Sequence, residues 1–198
     1  MSVGELTALT TTAESGHAAS IVLPIWAVLD DRELLAYYRA PRSAYFYPVA
    51  DVDETRPEKI EAIMRDRFEF NGETHQLPEP IQWLANPSRD VEWHILLHKF
   101  YYAVGLGLAY EQSADASYAK RWMSLIDSWM LATPPDFIAA DVTGRRVQNW
   151  IYSYYYFVAH SPHDSTKIIS PAFHRRMLNS ICQQVEYLCE NLTPKRNH

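Results

Sequence analysis

From Ser88 onward apolar residues recur at helical spacing, and the pattern predicts four long helices. The first runs from Asp90 to Glu111 and is apolar nearly all round (Trp93, Ile95, Leu96, Phe100, Tyr101, Val104, Leu108), so it is buried on more than one side. Gly105 and Gly107 lower its helix propensity, and close packing against a neighbour compensates. The second, Asp115 to Leu131, carries the stripe Tyr118, Trp122, Ile126 and Trp129, and Pro134-Pro135 stops it. The third starts near Thr143, repeats Val147, Trp150, Ile151, Tyr154 and Val158, and ends at Ser161-Pro162. The fourth has Ser170 as N-cap, Pro171 in the first turn, and a stripe from Phe173 through Met177, Ile181, Cys182, Val185 and Leu188 to Leu192. Short connections make such helices antiparallel neighbours, so the expectation is two consecutive helical hairpins.

Upstream the pattern is weaker. Residues 1–20 are rich in Thr, Ser and Ala and read as flexible. Residues 21–53 hold apolar patches broken by Pro24, Pro41 and Pro48. They read as an irregular arm that packs on something, with a short helix around Asp30 to Arg39. Thr55-Arg56-Pro57-Glu58 has the form of a capping box, and Ile60, Ile63 and Met64 give the next short helix an apolar side. At Phe68 the period changes to two, and Asn71-Gly72 is a strong hairpin-turn signal, which predicts a β-hairpin over Phe68 to Leu77. The fold class is therefore mainly α, with a mixed N-terminal arm (1–53), a small β-hairpin, and a helical unit over 54–198.

Composition changes this picture in three ways. The chain has 198 residues and a formal net charge of −6, so it lacks the basic footprint of a nucleic-acid binder. Thirteen Tyr and six Trp are enough to fill a core and also to stack on sugar faces. Ile21 to Leu29 is too short to span a bilayer, and no signal peptide is visible, which fits a cytoplasmic protein if this N-terminus is genuine. Cys182 and Cys189, seven residues apart on a helix, are separated by about 10 Å along its axis. They read as core thiols, too far apart for a disulfide.

Five stretches could carry chemistry, and each also has a plain structural reading. His94 and His98 sit at i, i+4, a spacing that can hold a metal, but HExxH is absent and no third ligand is evident; no metal and no cofactor are expected. In Thr143 to Trp150 the residues Arg146, Asn149 and Trp150 lie on adjacent turns. Arg can grip a carboxylate or sulfate, Asn can hydrogen-bond it and Trp can stack, or the stretch is a solvated helix start with a buried Trp. In Tyr152 to Phe157, Tyr152 or Tyr156 lines a carbohydrate groove, or the run is core. Phe173 to Arg176 is a basic cluster or a solvated first turn. Asn197 and His198 pair an amide donor with a side chain that takes a proton near neutral pH, or are ordinary terminal residues.

The order of these stretches carries more than any one of them. FEFNG, IQWLANPSRDVEW, LLHKFYYAVGLGLAYEQSADASYAKRWMSLIDSW, GRRVQNWIYSYYYF and a helix leading to Asn197-His198 resemble the N-terminal helical region of the heparinase II/III-like polysaccharide lyases, over roughly residues 56–198. The resemblance implies an incomplete (α/α) toroid, normally followed by a β-sandwich. It also implies β-elimination on a uronic-acid-containing polysaccharide of the glycosaminoglycan or alginate type. Asn197 and His198 match the family's Asn-His motif, which binds the uronate carboxylate. The Tyr and second His that move protons would lie beyond residue 198, so a chain ending here is expected to be truncated and inactive alone. A periplasmic or secreted location is implied as well. Lys99 stands where the family often has Arg, which removes a hydrogen-bonding fork. Two other functions fit the pattern. One is a stand-alone helical interaction module, since the first hairpin is superficially similar to tetratricopeptide repeats, although no 34-residue period is present. The other is non-catalytic binding of an anionic sugar through Arg146, Asn149 and Trp150. An unfinished toroid would also expose an apolar helix face, which predicts self-association.

Overall fold

The computed structural model describes residues 24–40, 47–161 and 168–191. The chain opens with α1 (Pro24–Val28) and α2 (Asp31–Arg39). Asp30 starts α2 by a reciprocal cap. Its carboxylate accepts from the N–H of Arg32 and Glu33 at 2.8 and 2.9 Å, and Glu33 accepts from the Asp30 N–H at 2.9 Å. The arm's packing partner is the last helix, α8 (Pro171–Asn191), where Trp26 and Leu34 meet Leu178 and Cys182.

Next comes α3 (Pro57–Ile63), with Pro57 in its first turn. The expected capping box does not form. Arg56, not Thr55, is the N-cap, no side chain caps it, and the Thr55 hydroxyl instead donates to the Asp51 carbonyl at 2.6 Å. The hairpin forms as expected from β1 (Arg67–Phe70) and β2 (Glu73–Gln76), with Phe68 opposite His75 and Phe70 opposite Glu73. Asn71 and Gly72 both have positive φ, 51° and 77°, as a primed two-residue turn requires. Phe68 and Phe70 share the buried face and pack on Tyr102 and Trp93.

The helical body differs from expectation at its start. Asp90 to Glu111 is not one helix but two, α4 (Val91–Lys99) and α5 (Tyr101–Ser113), divided at Phe100. Then follow α6 (Ala116–Ala132), α7 (Ala140–Tyr154), a π-helical turn over Tyr155–Ala159, and α8. Two of the helix starts have a local cause. Asp115 caps α6 through the Ser117 N–H, and Pro171 opens α8. The third helix starts three residues earlier than Thr143, at Ala140.

Helices α5 and α7 lie side by side, as do α6 and α8, and the hairpins α5–α6 and α7–α8 join the two layers. Five tryptophans (Trp83, Trp93, Trp122, Trp129, Trp150) are completely buried, and Trp122, Trp129 and Trp150 make ring contacts from one helix to another. Trp122 stacks on Phe157 at 4.6 Å between ring centres, and Trp129 meets Trp150 edge-on at 5.4 Å. Among the described residues no helix is long and apolar enough to cross a membrane. Of the two cysteines, Cys182 is buried but Cys189 is exposed, so only one is a core thiol.

Candidate functional site

Ending a helix in the protein interior strands its last carbonyls, and at α4 three side chains meet them. Phe100 takes the left-handed conformation (φ 58°, ψ 32°), which is strained for an aromatic residue and stops α4 abruptly. The Tyr102 hydroxyl donates to the Leu97 carbonyl at 3.0 Å. Arg146 reaches the His98 carbonyl through Nη1 at 3.5 Å, and Asn149 Nδ2 donates to the Lys99 carbonyl at 2.8 Å. The Arg-x-x-Asn spacing puts both donors on one face of α7, one turn apart, as two consecutive carbonyls require. Trp150 fills the gap behind them, edge-on to the Phe100 ring at 5.5 Å.

These three residues were expected on a sugar-facing surface. The structure places them inside: Arg146 and Trp150 are 0% exposed and Asn149 is 2% exposed. Arg146 also bonds Gln184 Oε1 on α8 through Nε at 2.7 Å and Thr143 Oγ1 through Nη2 at 3.0 Å. Its guanidinium lies 4.1 Å from the centre of the Trp129 ring. No carboxylate pairs with it among the described residues. The cation rests instead on the negative end of α4, two neutral oxygens and a ring face. Burial lowers its pKa to about 9, which still leaves it charged at neutral pH.

The His pair closes the same network from the other side. Trp129 Nε1 can only donate, and it donates to His98 Nδ1 at 3.0 Å. Neutral His98 therefore carries its proton on Nε2, which faces the Trp83 carbonyl at 2.9 Å and His94 Nε2 at 3.1 Å. A protonated Nε2 offers no lone pair to a metal. No group of three or more His, Cys, Asp or Glu able to hold a metal exists among the described residues. Burial, with help from His94 and Arg146, lowers the His98 pKa to about 3.

The remaining candidates separate. Asn197 and His198 lie outside the described residues. Tyr156 is buried against Gly107, and Tyr152, half-buried, accepts from Gln148 at 3.1 Å. The basic cluster at the start of α8 is spent on packing. Arg175 pairs with Asp31 and donates to the carbonyls of Trp26 and Leu29, while Arg176 grips Asp127 with Nε and Nη2 at 2.8–3.1 Å. His174 is buried beneath Tyr154, whose hydroxyl lies 2.7 Å from Nε2. Burial first, then Arg39 and Arg175, lowers the His174 pKa to about 4. Lys99 forms an ion pair with Glu92 at 3.3 Å. Tyr102, Thr143 and Gln184 were not singled out from sequence. Gln184 alone left a trace there, as a polar residue interrupting the apolar stripe of α8.

Helical hairpins in two layers, with a small β-hairpin at one end, define part of an (α/α) toroid. The chain belongs to the heparinase II/III N-terminus family, whose model matches residues 29–198. It is 24% identical over 188 residues to a heparin-sulfate lyase of Pedobacter heparinus, covering 84% of this chain but 28% of that protein. The crystal structure of the heparan sulfate lyase HepC from Pedobacter heparinus superposes with a TM-score of 0.67 at 25% identity, covering 85% of this chain and 29% of that one. The heparinase III BT4657 gene product shares the fold, with a TM-score of 0.69 at 19% identity over 85% of this chain and 30% of that one. The chain thus spans less than a third of the length of these relatives.

Proposed function

We propose that this chain is the N-terminal helical part of a polysaccharide lyase that cleaves a uronic-acid-containing polysaccharide by β-elimination, and that it is inactive alone. The observation that carries the reading is the family match over residues 29–198. Asn197 and His198 are the residues proposed to bind the uronate carboxylate. Hydrogen bonds and positive charge there stabilise the carbanion that forms when the ring carbon next to the carboxylate loses its proton. The buried trio Arg146, Asn149 and Trp150 then serves indirectly. It fixes the α4–α5 break and, through Gln184, holds the helix that leads to Asn197. The anionic polysaccharide is the expected partner, and the location is periplasmic or secreted. The arm helices α1 and α2 brace this part by packing on α8.

Self-association belongs to the same reading. Ile81, Leu84 and Ala132 line one shallow groove, and Leu131 beside it is 81% exposed. Light scattering across a concentration series should show dimers or larger species, and a monomer throughout would remove this part.

The test of function is the appearance of unsaturated uronate by ultraviolet absorbance. The 198-residue chain should produce none from a glycosaminoglycan or alginate. Joined to the later toroid helices and β-sandwich of a family lyase, it should produce it, and N197A or H198A should cut the rate by at least about a hundredfold. Full activity of both variants would sink the site assignment, and robust activity of the chain alone would sink the claim that it is inactive.

A further inference from the structure

His174 is buried where α2, α7 and α8 meet. Its ring lies 5.7 Å from that of Tyr154 on α7 and is covered by Tyr38 of α2, whose ring centre is 5.5 Å away. Nε2 faces the Tyr154 hydroxyl at 2.7 Å, while Nδ1 is enclosed and has no hydrogen-bond partner among the described residues. A neutral imidazole tolerates this, because its one proton can sit on Nε2 and bond the Tyr154 oxygen. An imidazolium does not, because its second N–H, on Nδ1, is buried with no acceptor among those residues. The charged groups around the ring are Arg39 and Asp31 on α2 and Arg175 on α8, and the two cations outweigh the carboxylate.

The cover over His174 is lightly anchored. Trp26 Nε1 donates to the Tyr38 hydroxyl at 3.0 Å and so joins α1 to α2. The two helices hold α8 through a small apolar cluster separate from the main core (Trp26, Leu34, Leu178 and Cys182), while Leu35 reaches the main core. Arg175 adds a polar latch, pairing with Asp31 and donating to the carbonyls of Trp26 and Leu29. A segment with so small a buried cluster opens locally at lower free energy than the whole domain unfolds. Lifting α2 hydrates Nδ1 and lets His174 take its proton near the ordinary value of about 6.5. In the closed state burial first, then Arg39 and Arg175, holds it down to about 4. Between those values the lifted state binds more protons, so falling pH favours it. We propose that α1 and α2 form an acid-released strap, which protonation of His174 lifts off α8 as one unit while the helical body stays folded. Lifting uncovers Leu178 and Cys182 on α8. The device stands on the surroundings of His174 and is independent of the lyase reading.

Cys182 is buried beneath the strap and reports its opening, and exposed Cys189 on the same helix is the internal reference. Both thiols lose thiolate alike as pH falls, so the ratio of their labelling rates with methyl methanethiosulfonate isolates the opening. Linkage between a closed-state value of about 4 and an open-state value of about 6.5 predicts that the Cys182-to-Cys189 ratio in the full chain rises about twentyfold from pH 7 to pH 5. H174Q and H174L, neither of which titrates, should hold the ratio within about twofold over that range, with a thermal melt to confirm folding. Labelling of Cys182 at pH 5 should also rise less steeply with urea than global unfolding does, because lifting two short helices exposes less surface than unfolding the chain. A ratio that stays flat in the wild type between pH 7 and pH 5 would overturn the strap, and so would a full rise retained in both variants. A urea slope equal to that of global unfolding would mean that Cys182 is reached only through the unfolded chain, and would overturn it as well.

Discussion

Arg146 shows how little a residue's type says about its place. A guanidinium flanked by Arg145 and Asn149 reads as a surface ligand site, yet it is fully buried and bonded to three different helices' worth of acceptors. Removing it leaves the Gln184 amide oxygen, the Thr143 hydroxyl and the His98 carbonyl short of donors, at about 1–3 kcal/mol for each buried group left unsatisfied. R146A should therefore lose about 3 kcal/mol or more in urea unfolding. R146K should lose nearly as much, because an ammonium cannot fork between Gln184 and Thr143. N149A should cost about 1–3 kcal/mol through the unpaired Lys99 carbonyl. If Arg146 instead served a surface site, R146A would keep wild-type stability. The partners explain why sequence could not show this. Tyr102, Arg146 and Asn149 answer carbonyls that are up to 50 residues away in sequence, and only the α4–α5 break creates the demand.

At the scale of elements, what was legible had a local cause. The β-hairpin was visible because Asn71-Gly72 dictates its own turn, and the starts of α6 and α8 were visible because Asp115 and Pro171 mark them. The split at Phe100 was not. Its apolar periodicity continues through the break, and the left-handed residue is held by stacking on Trp83, with ring centres 5.5 Å apart and planes at 19°. The π-turn at Tyr155–Ala159 was missed for a similar reason. It adds a residue to the turn, and Tyr156, Phe157 and Val158 within it are all buried. Two substitutions test these backbone arguments. Ala114, between α5 and α6, is exposed with φ 59°. A114G should stabilise the chain by about 0.5–1 kcal/mol, since glycine accepts that conformation without strain. Gly107 is the opposite case. A Cβ there would lie 2.6 Å from Tyr156 Cδ2, so G107A should destabilise by about 1–3 kcal/mol. Equal melting temperatures for A114G, G107A and the wild type would refute both.

For the whole molecule, the family and the hairpin architecture were legible because motif order survives when each motif alone is weak. Of the candidate site, Asn197 and His198 lie outside the described residues, while Arg146, Asn149 and Trp150 are buried and hydrogen-bonded or packed inside. A global property follows from the two buried histidines. His98 and His174 are neutral in the folded chain, with pKa values lowered to about 3 and about 4, mainly by burial. Unfolded, each returns to about 6.5. Between those values the unfolded chain binds more protons than the folded one, so stability falls as pH falls. The contribution is intact above pH 6.5 and is lost progressively down to pH 4 for His174 and pH 3 for His98. Each contributes up to about 1.4 kcal/mol per pH unit, so the pair should remove roughly 3–4 kcal/mol between pH 7 and pH 5. H174Q, which cannot titrate, should lower the slope of unfolding free energy against pH by about half. The comparison of slopes matters more than the absolute stability, because the substitution also disturbs the contact with Tyr154. A slope unchanged in H174Q would mean that His174 is protonated in the folded chain, and that its burial against α2 and Tyr154 does not exclude charge.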